Sequence, residues 1–179
     1  MKLDIVRVGE LRCNCYILEH NGCVLVIDPG DELDKIIDKR GDRDVVGVVV
    51  THHHYDHDGC VNDLVNRYGC IMYDRYNLGE GINKIGNFSF EVIYTPGHKE
   101  DLITFYFKEE KWMFCGDFIF KDTIGRCDLP GSNISDMINS LDKIKKYDRD
   151  IIIYPGHGIK TTLGYEIDNN IYFRDISFL

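Results

Sequence analysis

No apolar run in the 179 residues approaches the length of a membrane span, and the Met1-Lys2-Leu3-Asp4 start lacks the continuous apolar core of a signal peptide. A membrane-spanning protein is thereby excluded as a reading, and the cytoplasm is the expected location. There is no Lys/Arg-rich block, and 21 basic against 30 acidic residues give a formal net charge of −9, which repels a nucleic-acid backbone. No CxxC pair occurs among the seven cysteines, whose odd number and irregular spacing argue for reduced thiols rather than a disulfide framework. Low-complexity stretches and linkers are missing too, so residues 1–179 read as one domain with room for a sizeable core. Hydrophobic residues at 44% and charged residues at 28% are ordinary for a globular chain. Nothing in the composition marks an oligomeric state.

What is present is a succession of apolar strands that stop at polar, ligand-type side chains. Residues 3–8 and 13–19 read as strands, Asn21-Gly22 is a hairpin turn signal, and Cys23-Val24-Leu25-Val26-Ile27 follows, so two or three antiparallel strands open the chain. Asp31 is placed to cap a helix running to about Arg40. A buried strand ending at Val50, a loop, and a helix over residues 60–68 come next. Residues 77–87, rich in Gly and Asn, read as a loop. The second half repeats the theme with strands at 88–94, 103–107, 112–115 and 151–154 and a helix at 134–146. Strands and helices repeated in this way suggest an α+β fold, two sheets sandwiched between helices.

The densest chemistry is Thr51-His52-His53-His54-Tyr55-Asp56-His57. In an extended segment, residues two apart project to one side, so His52 and His54 can clasp one ion while His53 points away. Asp56 and His57 follow as the chain turns, and together the set exceeds what one ion with an open position needs, which points to a second metal. His98, Asp117 and His157 each stand just after a glycine at the end of a strand. Five imidazoles and two carboxylates suit two borderline divalent ions, and Asp117 has two oxygens with which to bridge them. Cys23 and Cys115 lie in apolar runs as small hydrophobes, whereas Cys60 and Cys127 stand close enough to the metal loops to be weighed as ligands.

His52-x-His54-x-Asp56-His57 followed by His98, Asp117 and His157 resembles the metallo-β-lactamase-fold hydrolases, along with Asn14-Cys15-Tyr16 and Asp28-Pro29-Gly30, over nearly the whole chain. Ile124-Gly125-Arg126-x-Asp128-Leu129-Pro130-Gly131 and Gly156-His157-Gly158 with Thr161-Thr162-Leu163-Gly164 are similar to its short glyoxalase-II-like branch. The resemblance implies a four-layer αββα sandwich, with His52, His54 and His98 on one metal, Asp56, His57 and His157 on a second, and Asp117 bridging. It implies a metal-bridged hydroxide as the nucleophile toward a small thioester or ester, with Asp56 also orienting it. Zinc is the expected metal, and iron or manganese suit the same ligands.

Three departures bear on the substrate. Lys99-Glu100-Asp101 stands where the family has small residues, Asp58-Gly59-Cys60 replaces a pair of small residues, and glyoxalase II's basic C-terminal helical domain is not expected here, which counts against glutathione specificity. Arg126 and Lys99 are the candidate substrate contacts, with Lys121, Tyr16 and Tyr55 weaker; for Arg126 a salt bridge to a loop acid is the competing reading. Asp28 reads either as a partner that orients a ligand histidine or as a turn cap before Pro29. A lactonase or phosphodiesterase of the same fold, a mononuclear-iron persulfide dioxygenase, a diiron electron-transfer module and a metal-stabilised scaffold are the rival functions.

Overall fold

The computed structural model describes residues 1–174. Its first half is a five-stranded sheet in the order β1-β2-β3-β4-β5, from Lys2–Val8, Cys13–His20, Cys23–Ile27, Asp44–Val49 and Met72–Tyr73. The first three strands pair antiparallel, while β4 and β5 join in parallel. The second half is a six-stranded sheet ordered β13-β12-β9-β8-β7-β6. Its members are β6 (Gly81–Ile85), β7 (Phe88–Tyr94), β8 (Ile103–Phe107), β9 (Trp112–Gly116), β12 (Ile152–Pro155) and β13 (Thr161–Thr162). A small hairpin, β10 (Ile119–Phe120) with β11 (Thr123–Ile124), projects between β9 and the rest.

Side-chain alternation divides the apolar residues into three layers. Leu18, Leu25, Ile27 and Val49 of the first sheet face Phe88, Phe90, Phe105, Phe107 and Phe114 of the second, forming the central core. The opposite face of the first sheet, with Ile17, Val24, Val26, Val48 and Val50, packs on Ile36 of α1 (Leu33–Arg40) and on Val61 and Leu64 of α3 (Val61–Tyr68). The outer face of the second sheet carries Ile93, Met113, Cys115 and Ile153 against Met137, Leu141 and Ile144 of α4 (Ile134–Ile144) and Leu163 of α5 (Leu163–Asn169). Helix, sheet, sheet, helix is the expected αββα sandwich.

Several local readings change. The segment 77–87 contains β6, whose Gly, Asn and Lys have low strand propensity but are held by antiparallel pairing to β7 from Gly81↔Val92 to Ile85↔Phe88. Asp31 does not cap α1. The cap position is Glu32 in the left-handed region, with φ 51, and Asp31 Oδ1 accepts from the Glu32 amide at 2.6 Å. The metal loop includes a single helical turn, α2 (Tyr55–Asp58), and α5 and α6 (Ile171–Arg174) are the last elements among the described residues.

Strands β7 and β9 both run antiparallel to β8, and β12 runs parallel to β9, so the carboxyl ends of β7, β9 and β12 share one edge. Backbone bonds sew that edge to the first sheet: the Ile103 amide donates to Thr51 O at 2.9 Å and the Asn14 amide to Gly156 O at 2.7 Å. Residues scattered from 52 to 157 are thereby delivered to one place.

Candidate metal centre

His52 and His54 leave the end of β4 on the same side, as the extended geometry requires, and His98 arrives from the loop after β7. His54 Nδ1 lies 3.0 Å from His52 Nε2 and 3.1 Å from His98 Nε2. Three ring nitrogens aimed at one point cannot all be satisfied by protons among themselves, because a neutral imidazole donates from one nitrogen only. Burial first, then the neighbouring imidazoles, pushes His52 well below the usual histidine range, and His54 is lowered in the same way with Lys99 contributing. Both rings are thus held neutral, with lone pairs available.

His53 points away, as expected, and its ring is clasped between Asp58 at 2.8 Å and Asp74 at 3.0 Å. Its amide donates to Asp101 Oδ2 at 3.1 Å. Asp101, one of the unusual charged residues after His98, therefore ties that loop to the metal loop.

The second group forms around α2. His157 Nε2 is 3.1 Å from Asp56 Oδ2 and 3.6 Å from Asp117 Oδ2, while His57 Nε2 is 3.6 Å from Asp56 Oδ2 and 3.4 Å from Asp117 Oδ1. Asp117 also reaches the first group, with Oδ2 at 3.7 Å from His98 Nε2. Burial opposes charge on all of these groups. The contacts between the acids and the rings outweigh it, lowering Asp56 and Asp117 and raising His57 and His157.

These spacings can be compared with those of a metal shell. Ligands about 2.1 Å from a tetrahedral ion stand about 3.4 Å from one another. The separations of 3.0–3.1 Å within the first histidine set and 3.1–3.6 Å in the second together bracket that figure. Asp117 Oδ1 is buried with no hydrogen-bond partner. The triads His52/His54/His98 and His52/His57/Asp117 each bring their donor atoms within 4.8 Å of one another. Imidazole nitrogens, carboxylate oxygens and an orphaned buried oxygen fit divalent cations.

Asp28 sits behind the ligands. Its Oδ1 accepts from the Thr51 amide at 2.7 Å, and its Oδ2 accepts from Thr51 Oγ1 at 2.7 Å and faces His57 Nδ1 at 3.1 Å. Of the two readings of Asp28, the histidine-orienting one matches this geometry. Cys13, which sequence reasoning did not single out, puts Sγ 3.6 Å from the same Nδ1, and burial raises its thiol to about 11. Nothing local in residues 11–15 signals that approach, since it arises only when β2 crosses under α2.

A cavity of about 410 Å³ opens over the ligands, lined by Leu11, His54, Tyr55, Asp56, His98, Asp117, Arg126, Leu129 and His157. Arg126 borders it but is paired through Nε and Nη2 with Asp128, at 2.6 and 2.7 Å. Lys99 is off the cavity wall, its ammonium 3.7 Å from Asp101. Lys121 is also off this wall, and Tyr16 is buried with its hydroxyl donating to Pro155 O at 2.5 Å. Cys60 stands at the start of α3 and Cys127 lies by Gly125 O, and neither joins a ligand group among the described residues.

A sequence model of the metallo-beta-lactamase superfamily matches residues 8–73 and 74–157. The chain is 29% identical to hydroxyacylglutathione hydrolase GloC of Haemophilus influenzae, over 99% of this chain and 100% of that protein. The crystal structure of BLEG-1 B3 metallo-beta-lactamase superposes with a TM-score of 0.92 at 26% identity, covering 97% of this chain and 100% of that one. The crystal structure of TTHA1623 in a di-iron-bound form gives 0.87 at 29% identity, covering 94% and 99%. With the sandwich fold, the ligand geometry and these similarities in place, the chain belongs to the metallo-beta-lactamase superfamily and is a metal-dependent hydrolase.

Proposed function

We propose that the chain is a dinuclear hydrolase of small thioesters or related esters, of the kind named by its similarity to hydroxyacylglutathione hydrolase. The observation that carries this reading is the convergence of two complete donor sets on Asp117, beneath one cavity large enough for a small acyl substrate. His52, His54 and His98 would hold one ion, Asp56, His57 and His157 the other, with Asp117 between them. When bound, such ions supply a water acidified to a pKa of about 7 and Lewis-acid polarisation of a carbonyl.

The side chains provide the rest. Asp56 and Asp117 line the cavity and orient the attacking water by accepting its hydrogens. Asp28 fixes the His57 ring through Nδ1, leaving Nε2 turned toward Asp56 and Asp117. Leu11, Tyr55 and Leu129 give the cavity an apolar wall against which the acyl group can lie. Water adds to the acyl carbon and the carbon–sulfur bond breaks, giving a carboxylate and a thiol. A thiolate leaves with little protonation, so no separate strong acid is needed. Arg126 can turn from Asp128 to a substrate carboxylate through its planar fork. Lys99 sets the field on His52 and His54 from behind Asp101.

The persulfide dioxygenase reading needs only the first donor set, and the intact second set favours hydrolysis. Protein purified without added metal should carry about two zinc, iron or manganese ions per chain. Asp117→Ala should lower thioester turnover by about 100-fold or more while the circular dichroism spectrum is unchanged. Wild-type turnover in that variant, or a lactone or phosphodiester outpacing every thioester, would refute the proposal.

A further inference from the structure

Three hollows lie in succession beside the metal centre, each sharing a lining residue with the next. The cavity over the ligands reaches His157. A second, of about 410 Å³, begins at His157 and passes Phe120, Lys121, Gly158 and Ile159. A third, of about 420 Å³, begins at Lys121 and is bounded by Ile152, Lys160, Thr161, Thr162 and Tyr165. His157 and Lys121 link them into a row, here called a trough, along the turn from β12 to the edge strand β13.

The chemistry changes along it. Carboxylates and imidazoles stand at the metal end, and Phe120 and Ile159 flank the middle. Beyond them come two ammonium groups, Lys121 at the junction of the second and third hollows, 5.5 Å over the Tyr165 ring, and Lys160 in the third, 5.9 Å over the Tyr154 ring. Aromatic faces hold these cations without neutralising them. Neither lysine forms an ion pair among the described residues; Lys84, Lys108 and Lys146 share that property but border none of the three hollows. The Asp122 carboxylate at this end faces the Tyr165 hydroxyl. On a chain of net charge −9, a pair of uncommitted cations at the end of a trough marks a place for an anion.

We propose that the trough seats the thiol side of the substrate, and that the substrate is a thioester of a carrier whose long arm ends in phosphate groups held by Lys121 and Lys160. This rests on the thioester reading above. Length separates it from a tripeptide thiol. The middle hollow, taken as a sphere of 410 Å³, is roughly 9 Å across, and a tripeptide reaches at most about 10 Å from its sulfur. Such a thiol spends its length before Lys160, while a longer flexible arm crosses the apolar middle and delivers its phosphates to both cations.

The test compares one acyl group on three thiols, coenzyme A, glutathione and N-acetylcysteamine, with metal-loaded wild type and the double variant Lys121→Glu/Lys160→Glu. The coenzyme A thioester should have the lowest KM, and the double variant should raise that KM about tenfold or more while kcat changes little. Parameters for the N-acetylcysteamine thioester should stay put, and those for the glutathione thioester, which reaches no further than Lys121, should change less than those for coenzyme A. Calorimetry with adenosine 3′,5′-bisphosphate, which carries no thiol, should show binding to wild type and none to the variant. Equal KM values for the three thioesters, or an unaltered KM and undiminished nucleotide binding in the variant, would overturn the proposal. Failure to hydrolyse any of the three would instead remove the thioester reading, and the nucleotide titration would still decide whether the trough binds phosphate.

Discussion

A methyl group at Gly156 is the most local way to disturb the second donor set. A Cβ built there would lie 2.3 Å from Asp117 Oδ1 and 2.6 Å from His57 Cε1, with the Gly116 carbonyl carbon at 3.2 Å. Ordinary contact begins near 3.4 Å, so Asp117 and His57 must each retreat by about 1 Å. Overpacking of this kind costs about 1–3 kcal/mol. Because the displaced atoms belong to the proposed ligands, much of that cost should fall on metal affinity, and each 1.4 kcal/mol is about tenfold. Gly156→Ala should therefore bind its second ion about 10- to 100-fold more weakly. The first ion would keep His52, His54 and His98 and share only Asp117, so it should weaken less than the second. Competition with a graded chelator series, read by elemental analysis after gel filtration, measures both constants. Gly158→Ala is the control: its Cβ meets nothing within 4 Å, although φ is +78, so it should lower thermal stability slightly and leave the metal content alone. Two ions retained at wild-type affinity in Gly156→Ala would refute the assignment of Asp117 and His57 to the second site.

Asp28→Asn should weaken metal binding about 10- to 100-fold with the fold retained, because the amide must turn an N–H donor toward either the Thr51 amide or His57 Nδ1; unchanged affinity in the same chelator competition would count against a histidine-orienting role. Asp4 probes pH dependence away from the site: burial tends to raise its carboxyl, but Lys39 at 3.0 Å and Arg43 at 3.2 Å hold it below the usual carboxylate range. A depressed folded-state pKa gives stability that is present above the unfolded value, about 3.9, and is lost as pH falls through the folded one. Asp4→Asn should thus cost about 1 kcal/mol or less at neutral pH, and urea midpoints of the two proteins should converge toward pH 2–3; a gap that widened in acid would contradict the sign.

How much of this was legible in the sequence follows from where each constraint acts. The buried strands were readable because alternation and apolar runs report burial directly, and Val24, Leu25, Val26 and Ile27 carry that signal whatever lies beside them. Strand β6 was not, since its Gly-Ile-Asn-Lys-Ile stretch is extended only because β7 offers it a partner, with Ile82 left 75% exposed. Asp31 failed as a cap because the helix starts one residue later, with Glu32 at the cap position in the left-handed region and its Oε2 accepting from the Gly9 amide at 3.1 Å. The side chains of the proposed metal centre could be picked out because metals accept few side-chain types, and the fold brings these His and Asp residues together even 105 positions apart, from His52 to His157. The walls around them carry no such restriction. Leu11, Leu129 and Cys13 reach the centre through sheet order and turn geometry, and an apolar or thiol side chain looks the same in a sequence whether it faces a core or a substrate. Chemistry that only a few residue types can perform is therefore visible one residue at a time, and the selectivity layered around it becomes visible only once the chain has folded.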